Sequence, residues 1–447
     1  MPSFQDASGH LEALLKKVRS LGASAADAVL VEQESLSVPY RLGRSEGLER
    51  AEVMDLGLRV FFGHRQAIVS TTDCSKASLE TLAERAVAMA KVVPEDPHCG
   101  LAEPEELAGS PPDLDLCDPD VPDVEQLMAR ARQTEEAARA VSGITNSEGA
   151  EAGWQRSDVT LLGTNGFSGA YTVTRHGLGV SVLAGSGTEM ERDYGSSIAH
   201  HGQDLEAPEA VGRQAGERAV ARLHPRKVPS AAVPVVFEAR VAGGLLGHFA
   251  SAINGAAIAR GTSFLKDCLG KRIFPKNMRI VDDPHRPRGL ASRPFDGEGV
   301  GNSRRDLVEN GVLKSWLLDL RSARQLGLRS TGHAGRGISS PPSPGVTNFY
   351  LAPGDVSREA LLKAIDNGFY VTELIGMGVN GLTGDYSRGA AGFWIEKGEI
   401  AYPVSEITIA GNLRDMFCNL TAADDLEFRY GVNAPTLRVD GMMVAGV

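Results

Sequence analysis

Residues 370–396, "YVTELIGMGVNGLTGDYSRGAAGFWIE", place Gly376, Gly378 and Gly381 in the spacing G-x-G-x-x-G directly after an apolar, β-branched run, with Glu396 at a distance suited to a ribose hydroxyl. A dinucleotide-binding turn needs a helix immediately after the glycines, because free N–H groups and the helix dipole hold the pyrophosphate. The next ten residues, "LTGDYSRGAA", bring two more glycines, each costing a helix interior about 1 kcal/mol relative to Ala. Beyond them, "GFWIEKGEIAYPVSEITIAG" alternates apolar and polar residues around Lys397-Gly398, the pattern of a β-hairpin. The stretch therefore reads as strand, glycine-rich loop and hairpin. Its loop residues Asn380, Asp385, Tyr386, Ser387 and Arg388 need another role.

At 447 residues the chain exceeds the size at which one core stops growing, so two domains are expected. A net charge of -11 argues against a nucleic-acid platform. No run of 18 apolar residues is present, which excludes a membrane-spanning helix. The opening "MPSFQDASGHLEALLKK" lacks the charged start and apolar core of a secretory signal, so a cytoplasmic location is expected. Cys74, Cys99, Cys117, Cys268 and Cys418 are widely spaced with no C-x-x-C pair, and are expected to be reduced and structural.

Leu11, Leu14, Leu15, Val18 and Leu21 fall at helical spacing before Gly22. Strand-like runs follow to about Thr71, then a helix over residues 75–92. Residues 94–122, rich in Pro, Asp and Glu, read as a long solvated excursion. A third helix, strands with a hairpin at Asn165-Gly166, and a fourth helix over residues 208–223 complete the first half. "HPRKVPSAAVP", residues 224–234, is the linker, giving an N-terminal α/β domain over 1–225 and a β-rich domain over 226–447. Strands and helices come in blocks without strict alternation, so the fold class is α+β, with mainly antiparallel strands and flanking helices first and a central small-residue helix in the second domain.

That helix lies in "EARVAGGLLGHFASAINGAAIARGTSFL", residues 238–265, where Gly243, Gly244 and Gly247 are costly unless another backbone packs against them. Elsewhere, His200-His201 near Glu191 and Asp193 could suggest a metal, although adjacent residues of a strand face opposite ways and an exposed polar strand is the expectation. Asp296 and Glu298 in "FDGEGVG" could pair as acid and base, or simply build a turn. Ser339-Ser340 have no basic partner and no G-x-S-x-G elbow exists.

Taken in order, "RGTSFL", "DGEGVGNSRRDLVENGVLKSWLLD", "TGHAGRGISSPPSPGVTN" and "GVNGLTGDYSRGAAGFWIEKGEIAYPVSEITIAGNLRDMF" resemble the TldD/PmbA family, specifically its PmbA (TldE) branch, across essentially the whole chain. The resemblance implies a cytosolic protein whose two branches pair into a peptide-cleaving heterodimer. In the TldD-type subunit, H-E-x-x-x-H occupies the helix corresponding to residues 243–248, with two imidazoles on zinc and the glutamate as general base. Positions i and i+5 lie about 140° apart on an ideal helix, so that motif needs local widening. Here the six residues are Gly243, Gly244, Leu245, Leu246, Gly247 and His248. The first histidine and the base are absent, and one imidazole cannot hold a catalytic zinc.

The resemblance thus implies a degenerate metal position at Gly243, Gly244 and His248, with no catalytic residue, metal or cofactor in this chain and zinc in a TldD-type partner. Peptide contacts are expected from Asn380, Asp385, Tyr386, Ser387, Arg388 and His333, since exposed backbone and polar groups can pair with an extended chain irrespective of its sequence. Expected partners are the TldD-type subunit, or a second copy, and unfolded peptides such as leader sequences, with neither nucleic acid nor membrane. The alternative is a non-enzymatic binding or regulatory protein, in keeping with the family's other name, modulator of DNA gyrase.

Overall fold

The computed structural model describes residues 4–447. Its first half is an antiparallel sheet of β1 (Ala25–Arg41), β2 (Glu49–Phe62), β3 (Arg65–Thr71), β4 (Ile144–Gly163), β5 (Ser168–Ala184) and β6 (Glu191–Ala199). The strand order is β3-β2-β1-β4-β5-β6, with the two-residue strand Arg44–Ser45 beside β1. Four helices cover one face: α1 (Phe4–Ser20), α2 (Lys76–Val92), α3 (Val124–Arg139) and α4 (Pro208–Ala221). The period of two explains the layering. Ala26, Ala28 and Leu30 pack with Leu11, Leu14 and Val18, whereas Val29 and Val31 face the other way and meet Phe295 of the second half. The expected hairpin turns at Gly166 (φ 93°), where the Gly163 N–H donates to the Phe167 carbonyl at 2.9 Å.

The second half is built on β7 (Ala231–Phe237), β8 (Asn367–Ile375), β9 (Asp385–Glu396), β10 (Glu399–Asn412), β11 (Leu420–Ala422) and β12 (Leu437–Ala445). They run β10-β9-β8-β7-β12-β11, and β12 also pairs with β10, closing a five-strand barrel. Register shifts between Val371/Glu373, Ala390/Gly392 and Val439/Met442 supply the local bends that closure needs. The β9–β10 turn is Lys397 (φ 52°) and Gly398 (φ 83°), two left-handed residues as a primed hairpin turn requires. α5 (Ala239–Ala252) follows β7, and its Leu245, Leu246 and Phe249 enter the large C-terminal core with Phe237, Phe349 and Phe417. The architecture is α+β. No described helix is long and apolar enough to cross a membrane.

Two expectations are corrected. Residues 94–122 are not a solvated excursion: Ala102, Leu114 and Leu116 are buried, Leu107 bridges to Val300, and Arg324 donates to the Leu101 carbonyl at 2.6 Å. Irregularly spaced apolar residues turn this segment into a strap across both halves. His200 and His201 are not on an exposed strand either, being 2% and 6% exposed just past the end of β6. The His200 ring nitrogens lie 2.6 Å from the Thr174 carbonyl and 3.0 Å from that of Gly289, and His201 Nε2 lies 3.1 Å from Asp115. Asp193 pairs with Arg240 instead, and Glu191 with Arg222.

Candidate functional site

The periodicity of α5 separates two faces. Ala242, Leu245, Leu246, Phe249 and Ala252 are buried, while Gly244, Gly247, His248 and Ser251, at i, i+3, i+4 and i+7, form the opposite stripe. The expected close backbone packing holds only for Gly243, whose Cβ would stand 3.2 Å from the Val432 carbonyl. At Gly244 and Gly247 a Cβ would have no heavy atom within 4 Å, so this face of the helix is open.

β9 brings Tyr386 and Arg388 to the edge of that stripe. The Tyr386 ring packs edge-on against His248, centroids 5.8 Å apart. Tyr386 is 2% exposed, and its hydroxyl, beside Arg388, makes no well-aligned hydrogen bond; neither do the buried His248 Nε2 and Arg388 Nε. Burial pushes the Tyr386 hydroxyl up to about 12, against the pull of Arg388, so it remains a donor. Burial, and then the Arg388 guanidinium, hold the His248 imidazole below its ordinary value, so it is neutral near pH 7. A phenol, a neutral imidazole and a guanidinium offer donors suited to carbonyl or carboxylate oxygens. No carboxylate stands among them to act as a base.

The other loop residues are spent on the loop itself. Asn380 Oδ1 accepts from the Leu382 N–H at 2.9 Å, an Asx turn. Asp385 accepts from Thr383 Oγ1 at 2.6 Å and from Asn412 Nδ2 at 3.1 Å, bonds that hold its carboxyl below the usual range. Ser387 stays exposed, its N–H donating to the Gly378 carbonyl at 2.7 Å. Ile375, Met377 and Leu382 project outward as an apolar lip, Met377 being 89% exposed.

His333 is not brought to this group. It is 2% exposed, with Nδ1 2.8 Å from Thr331 Oγ1 and Nε2 3.2 Å from Asp282, a buried clasp with no face for a peptide. Asp296 and Glu298 are likewise not an acid–base pair in a cleft. Asp296 accepts the N–H groups of Glu298, Val300 and Ala334, while Glu298 accepts from Arg59 Nη1 at 3.0 Å and the Leu320 N–H at 2.9 Å. Burial, with the Glu298 charge beside it, raises the Asp296 carboxyl to about 7. Arg59 also grips Asp27, its cross-strand neighbour, and Arg336 reaches Asp27 at 2.8 Å. This buried network joins the two halves of the chain.

The i, i+3, i+4, i+7 run Gly244, Gly247, His248, Ser251 is written in the sequence. The convergence of His248 on Tyr386 and Arg388 is not, because it depends on α5 lying beside β9, which brings together residues about 140 apart.

Three successive family models match: the PmbA/TldA metallopeptidase domain 1 over residues 26–90, the central domain over 117–223 and the C-terminal domain over 230–446. The chain is 41% identical to the metalloprotease PmbA of Escherichia coli O157:H7, over 94% of this chain and 92% of that protein. It superposes on a crystal structure of a candidate modulator of DNA gyrase from Bacteroides thetaiotaomicron with a TM-score of 0.91 at 26% identity, covering 99% of both chains. TldE from Thermococcus kodakarensis shares the fold, with a TM-score of 0.86 at 20% identity over 98% of this chain and all of that one.

Proposed function

The chain belongs to the PmbA/TldD metallopeptidase family, and from that premise we propose that it is the PmbA-type subunit of a cytosolic two-protein peptidase, paired with a TldD-type subunit that holds the zinc. Its substrates are unfolded peptides, leader sequences among them. The open stripe of α5 carries the reading. Where the family resemblance implies two imidazoles and a glutamate, Gly243 and Gly244 offer no donor atom, and the Arg388 cation faces the lone imidazole of His248. Among the described residues no group of three His, Cys, Asp or Glu side chains stands close enough to share a metal. These residues do not fit a catalytic zinc, which takes about three protein ligands and an open position.

What the chain contributes is surface. The donors of Tyr386, Arg388 and His248 and the exposed Ser387 suit an extended backbone, and the Met377 lip suits either the partner or the apolar side chains of the substrate. Asn380 and Asp385 act by shaping the loop, and the buried His333 leaves the set of peptide contacts.

The test is metal content by elemental analysis beside digestion of an unstructured peptide, for this chain alone and mixed with a TldD-type subunit. The chain alone should hold no stoichiometric zinc and cleave nothing, and the pair should cleave. One tightly held zinc per chain with chelator-sensitive cleavage by the lone protein would overturn the assignment. A pair no more active than its TldD-type member would favour a regulatory role.

A further inference from the structure

A cavity of about 380 Å³ lies against the first turn of α5, lined by Arg240 and Gly243 of the helix, Tyr194 of β6, Tyr370 of β8 and Arg358, together with five acidic side chains, Glu238 and Asp424 among them. Glu238 precedes the helix but makes no capping hydrogen bond, which leaves the first-turn N–H groups of Ala239 and Arg240 without a side-chain acceptor at the positive end of the dipole. Its carboxylate lies 3.4 Å from Arg240 Nε, an ion pair without a hydrogen bond. Arg240 itself is held by Asp193 at 2.5 Å.

Four buried atoms at this end have no hydrogen-bond partner: the Tyr370 hydroxyl, Arg358 Nε, Arg240 Nε and Glu238 Oε2. Tyr370 is 2% exposed, and its hydroxyl, walled into the cavity, has no partner. Arg358 lies 5.3 Å over the Tyr370 ring, has no ion-pair partner among the described residues, and keeps a buried Nε unbonded. Free helix N–H groups, a phenol and an unpaired guanidinium together are a carboxylate receptor. The Asp424 side chain, exposed and unpaired among the described residues, adds a negative charge to the same lining. Carboxylates and guanidiniums both line the cavity, so a ligand that matches it is polar and carries both signs.

We propose that this cavity binds the free carboxyl end of a short peptide, its carboxylate on the Ala239 and Arg240 N–H groups, the Tyr370 hydroxyl and Arg358, with the α-ammonium of a short ligand drawn to Asp424. That the ligand is a peptide rests on the proposed function; the preference for a carboxylate rests on the cavity. The volume is in the range of small-ligand sites and accommodates two or three small residues.

Isothermal titration of this chain alone with trialanine, trialanine amide, N-acetyl-trialanine and alanine tests the proposal. Trialanine should bind, amidation should weaken it at least tenfold, and acetylation should weaken it less. Tyr370→Phe, which removes only the hydroxyl, and Arg358→Gln, at a half-exposed position, should each cost at least fivefold with circular dichroism unchanged. Alanine bound as tightly as trialanine would overturn the assignment to a peptide. Equal binding of acid and amide, or wild-type binding by both variants, would overturn it. No cleavage is read, so an inactive pair leaves this result standing, and a failed titration leaves the pair's activity standing.

Discussion

Replacing Gly244 and Gly247 together by Ala tests whether the open stripe of α5 is kept for an occupant. Neither glycine has a positive φ, and a Cβ at either meets no heavy atom within 4 Å, so the substitution brings neither backbone strain nor a clash. Each glycine in a helix interior costs about 0.8–1.0 kcal/mol relative to Ala, which makes the expected gain about 1.5–2 kcal/mol for the pair. If the C-terminal half unfolds as one unit, the thermal transition of the lone chain should rise by about 3–8 °C. Gly243→Ala is the internal control: its Cβ would stand 3.2 Å from the Val432 carbonyl, so the propensity gain is offset. On the proposed function the same two methyl groups would stand under the bound peptide, so cleavage by the reconstituted pair should fall while stability rises. An unchanged or lowered transition would refute the open face. Raised stability with undiminished cleavage would refute the argument that the glycines serve an occupant.

Arg388→Ala should reduce cleavage by the reconstituted pair with the fold intact; equal turnover at limiting and saturating peptide would remove Arg388 from the contact surface. The same variant should move the His248 imidazole up toward its ordinary value of 6.5, because the guanidinium disfavours a second cation, and an NMR titration reads this directly. Since the folded imidazole titrates below the unfolded one, its contribution to stability is present above about pH 6.5 and is lost as pH falls through the lower folded value. A stability slope over that range that His248→Asn leaves unaltered would contradict the sign. Arg59→Met strands the Asp27 and Glu298 carboxylates in the interior with Arg336 alone, so chemical denaturation should show a loss of about 3–5 kcal/mol. A loss below about 1 kcal/mol would mean that Arg59 does not join the halves.

What could be read in the sequence was local. The hairpin at Lys397-Gly398, the turn at Asn165-Gly166 and the helix carrying Leu11, Leu14 and Val18 announce themselves through period and turn chemistry within a few residues. The strap formed by residues 94–122 did not, because its buried Leu114 and Leu116 are anchored by sequence-distant partners; the Leu116 carbonyl accepts from the Thr174 N–H. His333 departs from its expected place for a related reason. A histidine in a glycine-rich motif looks available, and only the fold shows Asp282 and Thr331 closing around it. Barrel closure is equally silent in sequence, since the β10–β12 pairing depends on register shifts at individual residues.

The glycines of α5 show how far a physical reading extends beyond those elements. A helical glycine is ordinarily explained by a backbone that packs on it, and Gly243 has that explanation in Val432. Gly244 and Gly247 do not, so within this chain their helix cost is uncompensated. The same face ends in three buried polar atoms without partners, on His248, Tyr386 and Arg388, and unmet polar groups in a folded interior are a second uncompensated cost. Two independent deficits on one surface have a common resolution if the surface is completed by something outside the chain. An extended peptide backbone would supply acceptors for the three donors and needs the clearance that missing Cβ atoms leave, whereas an apolar helix from a partner would fill the clearance and leave the donors unmet. The chemistry of the deficit therefore agrees better with the proposed peptide over the glycine stripe than with an apolar helix.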